Sequence, residues 1–515
     1  MKAALLHPFL LGMFPILFLY AQNATEMTMA DILTPLGLVV AAVIVLQALL
    51  FFVIRNSDRR SILISVVMLL FFSYGHLYRV GMGLFSKSSS AVVGNITAIA
   101  VVVLIVAGVL IFLLRSKRTL QGLTRAFNAA AVILVVLQIA LASYAIATRP
   151  SSDIPAELAA DTAAGVINRP DVYYVVFDAL GRQDVLKEMY SVDNGWFVDS
   201  LRRRGFFVAD SAVSNYCATM QSLAATLNLN YVHELGRFDP NMFDRTPLSQ
   251  LLAHNQVMRI LKPMGYKFVA FASGHFPTEV ETADYYFEPG FMLSEFHNVL
   301  LGYTPIPYWI GAEESQFAMH RRRVEYILDK LTDLDNIRDP KFVFAHLVCP
   351  HPPFVFDEDG ATVQRDWAFS FADGDHYTDQ GGSPAEYVAG YGPQVQYLCK
   401  RIIEVVDDIL AASDTPPIIV MHGDHGPGSE LFWESLPKSN IHERFPILNA
   451  YYLPDGRDTS LTDNITPVNS FRLILNEYFG KDYPMLPQRA FYTTRSRPYK
   501  YYEVTDSFPC LTDSL

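Results

Sequence analysis

Two hydrophobic patterns divide the chain and meet near residue 150. Before that point apolar residues run almost unbroken near 33 to 54, 61 to 78, 91 to 114 and 126 to 148. Each run approaches the ~20 residues that a helix needs to cross the hydrocarbon core of a bilayer, so each is expected to be a transmembrane helix. A further run, about Leu5 to Tyr20, reads either as a first span or as a signal sequence cleaved near Ala21-Gln-Asn-Ala24. Beyond residue 170 the apolar runs are short: Val172 to Phe177, Lys267 to Phe271, Phe342 to Leu347, Ile418 to Met421 and Ile447 to Leu453. They alternate with amphipathic stretches that include 247 to 263, 315 to 332 and 394 to 411. Short continuous apolar strands between helices predict a doubly wound α/β domain whose parallel strands are buried on both faces. The predicted organisation is a transmembrane domain of about five spans over 1–148, a tether over 149–170 rich in Ala, Pro, Ser and Asp, and an α/β domain over 171–515.

Charge sharpens this division. Up to residue 150 there are 11 Lys+Arg against 3 Asp+Glu, a balance of +8, and the remainder holds 29 against 49, a balance of -20. The acidic bulk argues against a nucleic-acid partner. Arg55, Arg59 and Arg60 lie between the second and third spans, and Arg115, Lys117, Arg118 and Arg125 between the fourth and fifth. Basic loops stay cytoplasmic, so residues 22 to 32, segment 79 to 90 and everything after residue 148 are expected on the non-cytoplasmic side. Cys217, Cys349, Cys399 and Cys510 form no CxxC pair, which disfavours a structural zinc cluster and leaves open whether they are disulfides or buried thiols. Sequons at Asn23, Asn95 and Asn464 matter only in a eukaryotic source.

Asp178 ends the run Val172 to Phe177, and Asp424-His425 closely follows the run Pro417 to Met421. The carboxyl ends of buried parallel strands are where ligands and catalytic groups collect. Two carboxylates and an imidazole meeting there suit a divalent cation. Read structurally, Asp178 is instead the N-cap of a helix starting near Gly181-Arg182. In His422-Gly-Asp-His-Gly-Pro-Gly428 the glycines flanking Asp424-His425 would let the backbone turn tightly. Thr219, in Asn215-Tyr-Cys-Ala-Thr219, precedes the helical run Leu223 to Leu229. Near a helix N-terminus it is either a plain N-cap or a hydroxyl nucleophile in an anion-binding position. The segment 357 to 386 is Asp/Gly-rich and reads as a long loop near the site, with His376 as a surface residue. The cluster Arg321-Arg322-Arg323 reads as a solvated helix face.

Taken together, Val175-Val-Phe-Asp178, Asn215-Tyr-Cys-Ala-Thr219, His346-Leu-Val-Cys-Pro-His351-Pro-Pro-Phe354, His422-Gly-Asp-His-Gly426 and Glu443-Arg-Phe-Pro-Ile447 resemble the alkaline phosphatase and sulfatase superfamily. Within it they resemble membrane-anchored sulfatase-like proteins related to lipoteichoic acid synthases and phosphoethanolamine transferases, over about residues 170 to 455. The resemblance implies an α/β domain of alkaline phosphatase/sulfatase type. It also implies that Asp178, Asp424 and His425 hold one divalent metal ion, that Thr219 is both ligand and nucleophile, and that His351 contacts the transferred group or protonates the leaving oxygen. His346, still within its strand, reads as structural. Among the remaining histidines, His233, His254, His275, His297 and His442, the last stands nearest a motif. Two carboxylates, an imidazole and a hydroxyl suit zinc or manganese, with magnesium admissible.

The chain departs from the sulfatases proper, which carry Cys or Ser in a Cys/Ser-x-Pro-x-Arg motif. Cys217 is followed by Ala-Thr-Met-Gln, and the first strand ends in a single Asp. These features favour a one-metal threonine mechanism. The expected protein is therefore an integral protein of a bacterial inner or plasma membrane with its catalytic domain on the periplasmic or extracellular side. It would transfer a phosphate-ester headgroup between a phospholipid and an envelope glycan or lipid through a phosphothreonine. A phosphodiesterase or sulfatase-like hydrolase of the same superfamily is the nearest alternative, and a catalytically inactive envelope binding module is a third.

Overall fold

The computed structural model describes residues 5–24, 27, 29–84, 91–147, 169–290, 295–310, 312–363, 369–457 and 460–512. Most of the expected tether, 149–170, lies outside the described residues. The chain forms two compact units, one of residues 1–150 with 293–316, the other of 151–292 with 317–515.

The first unit is helical: α1 (His7–Gln22), α2 (Met29–Phe51), α3 (Ser57–Leu84), α4 (Ala91–Arg115) and α5 (Gln121–Ala147). Helices α2 to α5 are each long and apolar enough to cross a membrane, and many of their large apolar side chains face outward, as a lipid-solvated surface requires. The 16-residue α1 packs with α2, α3 and α5, and its His7 Nδ1 lies 2.6 Å from Ser65 Oγ in α3. It is thus an integral helix of the bundle.

The second unit is built on a seven-stranded sheet of β1 (Val172–Phe177), β2 (Phe207–Val208), β3 (Lys267–Phe271), β4 (Tyr285–Phe287), β5 (Lys341–Leu347), β6 (Ile418–Gly423) and β7 (Asn449–Tyr452), in the order β2-β7-β6-β1-β5-β3-β4. The five strands from β6 to β4 are parallel, whereas β7 runs antiparallel to both its neighbours. The sheet is therefore mixed rather than purely parallel. Between β6 and β7 the chain passes through a loop, a 3-10 turn (Leu436–Lys438) and a single helical turn (Ile441–Arg444), and re-enters the sheet antiparallel to β6.

Alternate residues of β1 feed two cores. Tyr173, Val175 and Phe177 pack with Leu186, Phe197, Leu328, Tyr391 and Leu398, and Val172, Tyr174 and Val176 pack with Leu223, Leu252, Ile260 and Phe471. Helices therefore cover both faces, as the continuous apolar strands require. The helical stretch expected at 247 to 263 is two helices, Thr246–Ala253 and Gln256–Leu261, separated where Asn255 caps the second by accepting from Met258 N. Cys217, Cys349 and Cys399 are buried thiols. Of the arginine cluster only Arg322 is exposed. Arg323 is buried, and Arg321 donates to Val355 O and Gly360 O while lying over the Phe356 ring at 4.6 Å. The apolar stems of two of the three arginines are part of the packing, which a charge run alone does not reveal.

Candidate active site

Sheet register brings the two acidic motifs together. β1 pairs with β6 so that Phe177 stands opposite Gly423, and the next residues on these neighbouring strands are Asp178 and Asp424. The turn after β1 is tight, since Ala179 adopts φ 66° and donates its N–H to Asp424 Oδ1 at 3.1 Å. A non-glycine residue in the left-handed region stores strain, and such residues cluster at functional sites. The helix that follows starts at Gln183 with Arg182 at its N-cap, so Asp178 is no helix cap.

The flanking glycines act by closeness rather than by unusual dihedrals. A Cβ at Gly423 would lie 2.3 Å from Leu180 O, and one at Gly426 would lie 2.3 Å from Glu443 O and 3.0 Å from Pro446 O. Backbone carbonyls cannot swing aside as side chains do. Gly426→Ala is accordingly expected to cost about 1–3 kcal/mol of stability, read as a lower melting temperature of the purified full-length protein.

His425 orders the centre. Its Nδ1 lies 2.9 Å from Gly426 O, which only accepts, so Nδ1 carries the proton and Nε2 presents a lone pair. Around that Nε2 lie Thr219 Oγ1 at 3.1 Å, Asp178 Oδ1 at 3.4 Å and Asp424 Oδ2 at 3.4 Å. Asp178 Oδ1 and Asp424 Oδ2 are buried without a hydrogen-bond partner. Buried carboxylate oxygens are almost always paired, so two orphaned ones converging with an imidazole lone pair fit a cation. The ligand atoms of Asp178, Asp424 and His425 lie within 4.8 Å of one another, and this hard and borderline donor set suits a divalent metal.

Thr219 is the first residue of the helix Thr219–Leu227. The N-cap is Ala218, which makes no side-chain cap bond, so the Thr219 hydroxyl is not the cap and faces His425 instead. Cys217, two residues earlier, is buried with its Sγ 3.5 Å from Thr493 O, and burial pushes its thiol pKa up, away from nucleophilic thiolate.

Two histidines from β5 and its sequel complete the wall. His351 donates its backbone N–H to Asp178 O, its Nδ1 lies 2.6 Å from Pro352 O, and its Nε2 is 3.8 Å from Asp373 Oδ2. His346 Nε2 is 3.5 Å from Asp178 Oδ2, and its Nδ1 is 2.9 Å from Thr278 Oγ1. Burial opposes the charge on Asp178, yet the neighbouring His351, His346 and His425 hold its carboxyl below the usual carboxylate range. Burial, followed by Arg444, lowers the pKa of His425 and favours the neutral ring that a metal ligand needs.

Arg444 and Asp373 are additions that sequence reasoning did not single out. Arg444, 1% exposed, donates Nε–H to Cys217 O (2.8 Å), Nη1–H to Asp373 Oδ2 (2.6 Å) and Gly426 O (3.1 Å), and its Nη2 is 3.2 Å from His425 Nε2. Asp373 also accepts from Tyr387 Oη at 2.8 Å, and although burial alone would raise its pKa, Arg444 and His351 bring it down to about 2. The signal for Arg444 was its motif Glu443-Arg-Phe-Pro-Ile447. Asp373 had only its place in an Asp/Gly-rich segment. Glu443 fixes the loop, accepting from Tyr190 Oη, Ser429 N and Glu430 N.

Other histidines lie elsewhere. His442 is exposed with its ring 5.4 Å from that of Phe508, His233 stacks on Tyr231, His254 ends the helix Thr246–Ala253, His297 belongs to the helical unit, and His376 lies 3.0 Å from Arg495 Nη1. His275, half-buried, and His320, buried, lie near Phe371, and His320 also touches Phe369. Burial, then Arg323, lowers the His320 pKa from 6.5 to about 3. The unfolded chain therefore takes up this proton first. Stability from this group is intact above pH 6.5 and declines as pH falls toward 3, at about 1.4 kcal/mol per unit at most. His320→Phe should flatten the dependence of melting temperature on pH between 6.5 and 5.

Comparison with known proteins gives low likenesses to many solved structures and one family match. The C-terminal periplasmic domain of EcEptC from Escherichia coli, solved in complex with Zn, is 13% identical at a TM-score of 0.42 and covers 66% of this chain and 94% of its own. The corresponding domain of phosphoethanolamine transferase EptC from Campylobacter jejuni is 14% identical at 0.38 and covers 62% and 92%. The integral membrane protein lipooligosaccharide phosphoethanolamine transferase A from Neisseria meningitidis is 13% identical at 0.40 and covers 92% and 95%. No curated protein matches this sequence at a significant level. The Sulfatase family model matches residues 170–471, more than half of the chain and a span that contains Asp178, Thr219, His351, Asp373, Asp424, His425 and Arg444; this protein belongs to the sulfatase family.

Proposed function

We propose that this protein is a membrane-bound transferase that moves a phosphate-ester headgroup, of phosphoglycerol or phosphoethanolamine type, from a phospholipid to an envelope glycan or lipid through a phosphothreonine at Thr219. The observation that carries this reading is the Thr219 hydroxyl 3.1 Å from His425 Nε2, beside two orphaned carboxylate oxygens. Asp178, Asp424, His425 and Thr219 would hold one divalent cation, zinc or manganese by donor type. When bound, it supplies positive charge that acidifies the Thr219 hydroxyl and neutralises charge on the phosphoryl oxygens.

In the first half-reaction Thr219 Oγ1 forms a bond to phosphorus, its proton passing to solvent, and the bond from phosphorus to the diacylglycerol oxygen breaks. His351 is suited to protonate that oxygen: Nδ1 is committed to Pro352 O, which leaves Nε2 to carry the mobile proton. In the second half-reaction an acceptor hydroxyl attacks phosphorus, His351 Nε2 takes its proton, and the Thr219 oxygen leaves. Arg444, held by Asp373 and Cys217 O, supports fixed positive charge at the rim of this centre. Water in place of the acceptor would make the same site a phosphodiesterase.

The test is to incubate the full-length protein in detergent with a phospholipid donor and no acceptor, quench in acid, and map peptides by mass spectrometry. A headgroup-phosphate adduct on Thr219 is the expected result. Turnover of the donor with no adduct on Thr219 at any quench time, including slowed turnover, would sink the covalent mechanism.

A further inference from the structure

Residues 293–316 sit in sequence inside the span matched by the family model, yet they fold with the helical unit. Their described part comprises two short helices, Glu295–Gly302 and Ile306–Ile310, and the start of the helix Ala312–Leu331. Phe296 and Leu300, four residues apart and so on one helix face, are buried with Tyr20, Ile32, Phe72 and Ala142. Those four residues belong to the end of α1, the start of α2, the later half of α3 and the end of α5. They mark one end of the bundle, opposite the basic loops of Arg55 to Arg60 and Arg115 to Arg125.

The docking is close. Gly75 in α3 faces Gly302 so tightly that a Cβ would lie 1.9 Å from Gly302 O, and Gly75 N–H donates to Tyr303 O at 3.1 Å. Beside it a polar chain ties the second helix down. Trp309 Nε1–H donates to Tyr74 Oη (3.0 Å), Tyr74 Oη–H donates to Asn95 Oδ1 (3.0 Å), and Asn95 Nδ2–H donates to Tyr308 O (3.3 Å). The Tyr308 ring lies 4.2 Å from that of Tyr78, and Tyr303 stacks on His76.

The opposite side of this segment is apolar and open. Trp309 is 63% exposed although its N–H is satisfied, and Val299 and Ile306 are exposed as well. Asn95 is flanked on α4 by Val92 and Ile96, each 62% exposed, so the open face continues into the outward surface of a membrane helix. Tyr and Trp concentrate where apolar ring and polar group straddle the edge of a bilayer. A short apolar helix lying flat can seat its side chains at the headgroup boundary.

We propose that residues 295–310 are an interfacial anchor, seated in the headgroup layer of the non-cytoplasmic leaflet, with the Trp309 ring among phospholipid headgroups and upper acyl chains. The occupant of the open face is the lipid surface, because that face is continuous with the lipid-facing side of α4. The inference rests on the membrane placement of the helical unit and not on the reaction proposed above.

The test uses full-length protein in phosphatidylcholine vesicles carrying bromine either near the headgroup or deep in the chains. The Trp309 signal is the emission difference between wild type and Trp309→Phe. Loss of most of that difference with shallow bromine, and less with deep bromine, is expected. A difference untouched by either lipid but quenched by aqueous acrylamide would overturn the proposal. Should Trp309→Phe prove unstable, Ile306→Cys labelled with a polarity-sensitive fluorophore reads the same face: blue-shifted, lipid-quenched emission supports the anchor, and water-like emission overturns it. Donor turnover plays no part in either readout.

Discussion

Alanine at Thr219 is expected to abolish the proposed headgroup transfer but to leave divalent-metal binding in place, whereas alanine at Asp424 is expected to lose both. The first effect is expected to be on the order of 10⁴-fold in kcat/KM, about 5.5 kcal/mol of transition-state stabilisation. Thr219 contributes one of three oxygens around His425 Nε2, and in the proposed mechanism no covalent adduct forms without it, while Asp178, Asp424 and His425 still converge. Asp424 does two structural tasks at once. Its Oδ1 accepts from Ala179 N and His425 N, and its orphaned Oδ2 faces the proposed metal position beside Asp178 and His425. Its removal therefore loosens the strained turn and halves the carboxylate charge there. Initial rates together with metal analysis separate the two substitutions. A Thr219→Ala protein that transfers within tenfold of wild type would remove the nucleophile from the mechanism.

Arg444→Ala is the second large effect, and it falls on folding as much as on chemistry. The substitution leaves Asp373 charged and buried with one hydrogen bond, from Tyr387 Oη, and His351 Nε2 3.8 Å away, and it strips Cys217 O and Gly426 O of a donor. Breaking a buried pair by removing one partner costs about 3–5 kcal/mol. Asp373→Asn should cost less, because Arg444 keeps its two carbonyl partners. Its carboxyl, brought down to about 2 from 3.8, contributes stability that is full above pH 3.8 and is lost as pH falls through 2, so the asparagine variant also blunts acid unfolding. Melting temperatures of full-length wild type, Arg444→Ala and Asp373→Asn in detergent measure this order. An Arg444→Ala protein as stable as wild type would show that the guanidinium is replaceable by water.

The strands that end in chemistry were readable because burial on both faces leaves an unmistakable mark. Val172 to Phe177 and Lys267 to Phe271 were delimited to the residue, and α2 to α5 stood out by length and apolarity alone. The reversal of β7, the break at Asn255 and the burial of Arg323 were not legible, because each depends on what packs opposite. The role of the two glycines was misread for a related reason. A sequence shows that Gly423 and Gly426 lack a Cβ, but only the fold shows that Leu180 O and Glu443 O occupy the space a Cβ would take.

By itself, then, the sequence offered the candidate residues that converge at the site, Asp178, Thr219, Asp424 and His425, and the long apolar helices that precede them. Hydrophobic periodicity and short motifs are local properties, written in adjacent letters. Tertiary structure decided how these residues meet: the register that sets Asp178 beside Asp424, the Ala218 cap that frees the Thr219 hydroxyl, and the Asp373–Arg444 pair joined from 71 residues apart. It also decided that residues 293–316 belong to the helical unit. Contacts between distant segments depend on sheet order and packing, and no local pattern encodes them.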